Sequence, residues 1–348
     1  MAQMNTREPG AADFDVETQE RDAASLQNPH REILTRAILN VLSGPIAKIT
    51  YGQIVNGLPL SEVTLDSYEG TIARGHPLLD QHLELSSKVL DKLDQLYSTF
   101  DPETLRMSST LLSAFRAASP GSRAFHIRLI GLVARSVHQI AVLLFKQSQI
   151  RPESDPLLSW RPSEDSMSRS YPKGFPPTFF AHKWYRDYDQ YPEGVADGVG
   201  YWAESRILGG VVVFDRRTPG SAEDVETDAI YLHSDNRDGT YRIYRLLDNQ
   251  KQQLLQFLLS EVPPSSCPLP IHGNMDNRNR VDPEEPMKDT GIYRDKWERK
   301  LRPDDEGDAR LRDVIDDFNY VSYDEWADAQ YRAMIMRERR ELGEHLAW

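Results

Sequence analysis

Residues 122–147 form the longest apolar stretch of the chain, with Ile127, Leu129, Ile130, Leu132, Val133, Val137, Ile140 and Val142 recurring through it. A helix of this length can cross a bilayer, so its polar interruptions decide what kind of fold it belongs to. Arg123, Arg128, Arg135 and His138 interrupt it, and a charge at the bilayer centre costs at least ~2.5 kcal/mol on the mildest scale. The stretch is therefore read as the central helix of a bundle in a soluble protein, without stable membrane insertion. Between Thr104 and Ile150 there are six basic residues and no acid. These charges either form an anion-facing stripe or pair with acids brought in by the fold, and a net charge of −13 favours pairing.

The residues before this helix supply its cover. Asn28 and Pro29 offer a cap and a first-turn proline, and Ile33, Leu34, Ala37, Ile38, Val41 and Leu42 then recur at helical spacing up to Gly44 and Pro45. A long helix is expected after Pro77, with Leu79, Leu83, Leu90, Leu93 and Tyr97 along one seam. Another is expected from Asp101 and Pro102 through Leu105, Leu112 and Phe115 to the break at Pro120 and Gly121. Residues 29–150 thus read as an antiparallel helical bundle. Residues 1–28 carry two basic and six acidic residues without an apolar run, so burial cannot offset their ordering entropy. They are expected to be a disordered acidic tail.

Composition changes after Ile150. Residues 151–177, rich in Pro and Ser, read as a linker, and residues 178–262 as an aromatic-rich α+β segment. Within the latter, Val211–Phe214 reads as a buried strand, and Ile230–His233 and Tyr241–Leu247 flank a polar turn, Asp235–Gly239, which predicts a hairpin in a small antiparallel β-meander. A helix is expected from Asp248 to Leu259, stopped by Pro263 and Pro264. Residues 263–290 read as a loop. Residues 291–348 read as a C-terminal helical segment, in which Ser322 and Glu325 form a capping box. The fold class is therefore α+β: an N-terminal antiparallel helical bundle packed with a small antiparallel β-meander and C-terminal helices.

Ten of the 32 aromatic residues fall between Tyr171 and Trp202. Such rings serve either as the core of a sheet poor in aliphatic side chains or as the wall of a ligand site. If residues 178–191 are helical, Trp184 and Tyr188 share a face, and Trp202 approaches from the next element. These three are the candidate ligand-binding residues, and a cleft between the meander and the helical block is the default pocket. His182, Asp187, Glu204 and His233 are the candidate catalytic residues, because acid–base work needs a His and a carboxylate within hydrogen-bond reach. Local spacing does not bring any such pair together, so a dyad must be tertiary.

Other motifs fail on inspection. Gly198, Gly200, Gly209 and Gly210 lack dinucleotide-loop spacing, and no cofactor is expected. The run Ser234, Asn236, Asp238, Gly239 places Arg245 where a calcium loop needs its bidentate Glu. The nine histidines form no H-E-x-x-H pair and Cys267 is the single cysteine, so no metal site is expected. With one Cys and an acidic rather than apolar N-terminus, the compartment is read as the cytoplasm or nucleus. The acidic balance speaks against a nucleic-acid partner.

Residues 179–217, FFAHKWYRDYDQYPEGVADGVGYWAESRILGGVVVFDRR, resemble a segment of uncharacterised proteins of filamentous fungi. The resemblance implies a eukaryotic intracellular setting and carries over no fold, activity or site residue. The residues themselves point to an intracellular binding or interaction protein with an unknown protein or small-molecule partner. The alternative is an enzyme acting on a small apolar or aromatic metabolite by His/carboxylate chemistry. Whether the chain is an enzyme is left open at this level.

Overall fold

The computed structural model describes residues 20–341 except 68–71, 74, 148–150, 152–153, 165–166, 168–173, 218–228, 237–239, 241, 263–266, 279, 282, 284–286 and 301–321. The fold is α+β. Helices α1 (His30–Leu42), α2 (Pro45–Asn56), α3 (Ser87–Thr99), α4 (Ser109–Ala117) and α5 (Arg123–Gln147) make the N-terminal block. Three more, α6 (Val195–Leu208), α7 (Asp248–Leu259) and α8 (Tyr323–Glu341), alternate with the strands that follow. The apolar stretch is the central α5, with Leu129, Leu132, Ala134, Val137 and Ala141 almost wholly buried. By length and composition it could cross a membrane, yet 67% of its most apolar window is buried inside the protein. Helix α6 lies along α5, and α1 packs against α5, α2 and α7.

Short strands β1 (Glu20–Asp22) and β2 (Arg106–Ser108) pair antiparallel beside the helices. The main sheet has the order β6-β5-β4-β3-β7, from β3 (Val211–Asp215), β4 (Ile230–His233), β5 (Ile243–Arg245), β6 (Arg280–Val281) and β7 (Ile292–Tyr293). All its pairings are antiparallel. Residues β3 to β5 form the expected meander, with Val212 opposite Leu232 and Leu232 opposite Tyr244.

Alternation along the strands buries both faces of this sheet. Val212, Ile230, Leu232 and Tyr244 join the core shared with α1, α5 and α7. Val211, Val213, Tyr231 and Ile243 face the other way, where Trp184, Tyr185, Tyr191 and Tyr201 cover them. The result is three layers: helices, sheet and an aromatic sheath. The sheath segment 178–191 is turns and irregular chain rather than a helix, so Trp184 and Tyr188 do not share a helical face. Its rings serve as a lid on β3 and β4, and that geometry needs no period.

Other boundaries shift for tertiary reasons. Glu20–Asp22 pair with Arg106–Ser108, and Ala23 and Leu26 are buried, so residues 20–28 belong to the fold rather than to a disordered tail, and residues 1–19 lie outside the described residues. The same pairing turns 106–108 into strand, and helix α4 starts only at Ser109. The helix expected after Pro77 is split between a single turn, Leu78–Gln81, and α3. The break lets the His82 carbonyl accept the Ser61 N–H at 2.9 Å while the His82 ring meets the Asn56 amide at 2.8 Å. In the stretch 151–177, Asp155 caps a turn at Pro156–Ser159, and Leu157 packs with Leu58, Leu78 and Phe179. The stretch 263–290 contains β6 and a helical turn, Met287–Thr290. One hydrophobic core runs from Ala23 to Ile271 across both blocks.

Candidate functional site

Helix α6 organises the chemistry, and glycines let it do so. Gly209 adopts φ +98° just past its end, a left-handed value suited to a residue without Cβ. Within the helix, a Cβ on Gly198 would stand 2.4 Å from the Tyr188 ring, and one on Gly200 would stand 2.5 Å from Nε2 of His138. These glycines thus allow close approach of neighbours on two sides of α6. A glycine inside a helix costs about 0.5–1 kcal/mol relative to alanine, which the contacts it permits must offset.

The contact at Gly200 places His138 of α5 between two acids of α6. The His138 Nδ1–H donates to Glu204 Oε1 at 2.9 Å, and Nε2–H donates to Asp197 Oδ1 at 2.9 Å. A neutral imidazole has one N–H, so two such contacts call for the imidazolium. Burial opposes that charge, but the hydrogen bonds from Asp197 and Glu204 hold the His138 pKa above its ordinary value. The arrangement extends further. Arg294 makes a forked contact with both Glu204 oxygens, at 2.8 and 2.7 Å, and its Nε donates to Asp295 at 3.1 Å. Arg135 reaches the other Asp295 oxygen, and this pair of guanidinium groups overcomes burial to hold the Asp295 carboxyl at about 2. Beneath them, Glu298 accepts the backbone N–H of Arg294 and of Asp295, and burial raises its pKa.

This group is a largely buried ion-pair network joining α5, α6 and the segment after β7. Glu204 and Glu298 are fully buried. His138 offers a different ring nitrogen to each acid, so the three side chains do not close on one ion. Among the described residues no group of three or more His, Cys, Asp or Glu side chains is arranged for a metal. Among the described residues, basic side chains of the stretch between Thr104 and Ile150 find acids from distant segments: Arg106 with Glu20, Arg135 with Asp295 and Lys146 with Glu193.

The four acid–base candidates fall in three places. His182 is fully buried; its Nε2–H donates to the His233 carbonyl at 3.0 Å and its Nδ1 accepts the Trp184 N–H at 3.2 Å. Desolvation pushes its pKa down to about 3, so it stays neutral. His233 lies beside it with ring centres 5.0 Å apart, and its Nδ1 meets the Tyr185 hydroxyl at 3.2 Å. Asp187 is half-buried elsewhere and accepts the Lys300 N–H at 2.8 Å. Among the described residues Glu204 is the candidate that stands in a His–carboxylate pair, and its partner is His138.

The aromatic candidates also separate. Trp184 is buried over the sheet, while Trp202 is buried against Phe180 at 4.7 Å in the other core. Tyr188 packs over Gly198, 6.3 Å from Tyr191. The seam between meander and helices, where a cleft is expected, is filled by Ile130, Val133, Val212, Leu232 and Leu254 and leaves only about 10 Å³.

Open space lies instead beside the second half of α6. A cavity of about 160 Å³ is lined by Trp202, Ser205 and Arg206 of that helix, by Asp66 and Ser67, and by Ser234, Asp235 and Asn236 after β4, with Pro270 and His272 at its edge. Arg206 and Asp66 form an ion pair across it, and a bridge between Ser67 and Asn236 ties its two sides. Trp202 belongs to this wall as well as to the core.

Compared with protein-family models, with curated proteins and with solved structures, the chain matches none. Its site is therefore read from its own geometry. Sequence reasoning missed His138 as a partner of Glu204, although one signal was present: Asp197, Tyr201 and Glu204 are spaced i, i+4 and i+7.

Proposed function

We propose that this protein is an intracellular binding protein whose small-molecule ligand occupies the cavity beside α6. One observation carries the reading: polar groups with remaining hydrogen-bonding capacity converge on that cavity, whereas the His138–carboxylate group has both ring nitrogens engaged inside the protein. Ligand sites combine an apolar wall with a few placed polar groups, and Trp202, Ser205, Arg206 and Asp66 supply that combination. The volume suits a ligand of about one six-membered ring, since a cavity of about 150 Å³ holds benzene. Burial of α5 supports a soluble setting. The catalytic alternative would need a titratable pair open to a substrate, and binding is the better-supported reading.

The test is a thermal-shift and tryptophan-fluorescence screen of small metabolites against the wild type and Ser205→Leu. The leucine fills the cavity from a half-buried position. The reading expects at least one compound to raise the wild-type melting temperature and to leave the variant unmoved. Equal responses from both proteins would overturn it.

A further inference from the structure

We propose that the cavity beside α6 recognises an uncharged, polyhydroxylated six-membered ring, a monosaccharide or cyclic polyol; this rests on the reading of that cavity as the ligand site. The argument begins with hydrogen-bonding capacity. Ser205 Oγ accepts the Asp235 N–H at 3.3 Å, and Ser234 Oγ accepts the Asn236 N–H at 3.1 Å. Among the described residues neither hydroxyl donates to a protein acceptor, so each has a proton to offer. In the Arg206–Asp66 pair, one guanidinium nitrogen, Nη1, meets one carboxylate oxygen, Oδ2. The side chains are 21% and 28% exposed, and the remaining N–H groups and Oδ1 present a donor beside an acceptor. A hydroxyl donates and accepts at once, so neighbouring ring hydroxyls match that alternation. An ether or a hydrocarbon would leave it unused.

Charge narrows the class. Arg206 is neutralised by Asp66, and the buried Asp235, whose Oδ1 accepts the Lys183 N–H at 3.2 Å, is the other carboxylate of the wall. An anionic ring would meet no uncompensated cation. A cationic ring would find the Asp66 carboxylate already paired and the Asp235 carboxylate buried with its Oδ1 engaged, and would leave water without a full counter-charge. A neutral ring pays no such desolvation penalty.

Isothermal titration distinguishes these outcomes, using glucose and myo-inositol as neutral rings, glucuronate as an anionic one and glucosamine as a cationic one. The expected result is binding of a neutral ring at least tenfold tighter than either charged counterpart, lost in Ser205→Leu. Asp66→Ala, with folding checked by its melting temperature, should leave Arg206 uncompensated and shift the glucuronate-to-neutral affinity ratio at least tenfold toward glucuronate. A charged ring that binds as tightly as the neutral ones would overturn the class. So would an unchanged ratio in Asp66→Ala. If no ring binds while another compound shifts the wild type and not Ser205→Leu, the class fails and the cavity reading stands. If nothing binds, both fail.

Discussion

Replacing His138 by Gln tests the charge state of the network directly. The wild-type ring holds Asp197 and Glu204 at 2.9 Å each, and glutamine can neither carry the positive charge nor span both acids. Removing one partner of a buried ion pair costs about 3–5 kcal/mol because the other charge is left uncompensated. Here Arg294 still holds Glu204, so the loss falls mainly on Asp197 and lies near the lower figure. The sign with pH follows from linkage. The folded-state pKa of His138 is raised above its unfolded value of 6.5. Its stabilising contribution is therefore complete below pH 6.5 and is lost as pH rises through the folded value. Urea unfolding of wild type and His138→Gln from pH 6 to pH 10 should show a gap of about 3 kcal/mol at the acid end that narrows toward the alkaline end. Nitrogen NMR of the imidazole at pH 6.5 should find both Nδ1 and Nε2 protonated. A gap that stays constant with pH, together with a singly protonated ring, would refute the imidazolium assignment.

Gly200→Ala should destabilise by about 1–3 kcal/mol in denaturant unfolding, because the new methyl would overlap the His138 ring. The same change on an exposed helix would stabilise. Trp184→Ala and Trp202→Ala should each cost about 3–5 kcal/mol by thermal unfolding, since both rings are buried in core. Loss of less than 1 kcal/mol at either site would remove that ring from the core. His182, with its folded pKa lowered to about 3, lets the unfolded chain bind a proton that the native state refuses. Wild-type stability should therefore fall as pH drops from 6.5 toward 3, and His182→Asn should flatten that slope if it folds. Carbonate extraction of lysed cells should leave the protein in the supernatant, given the burial of α5.

Local pattern determined much of this protein. The apolar run ending at Gln147, the helical repeat from Ile33 to Leu42 and the strands Ile230–His233 and Ile243–Arg245 each have a period or punctuation that short-range sterics enforce, while residues 237–239 of the expected turn lie outside the described residues. The α+β class follows from them. Residues 106–108 carry no comparable signal, because their strand exists only where Glu20–Asp22 come alongside. Helix α6 escaped reading for a related reason: it is buried on nearly every side from Ala196 to Glu204, so no polar face alternates with an apolar one. Its glycines looked like a failed loop motif until His138 and Tyr188 were seen to need the space.

The site was decided by tertiary structure alone. His138 meets its acids across 59 and 66 residues of chain, and no spacing rule reaches that far. The aromatic cluster was legible as a concentration of rings, yet whether those rings wall a cavity or cover a sheet depends on what lies opposite them. Val211, Val213, Tyr231 and Ile243 lie opposite most of them, while Trp202 also borders the cavity that Asp66 and Ser234 complete. Composition determines which side chains are available for burial. Only the packed chain determines which of them are left at an opening, because an opening is what remains after every other contact has been made.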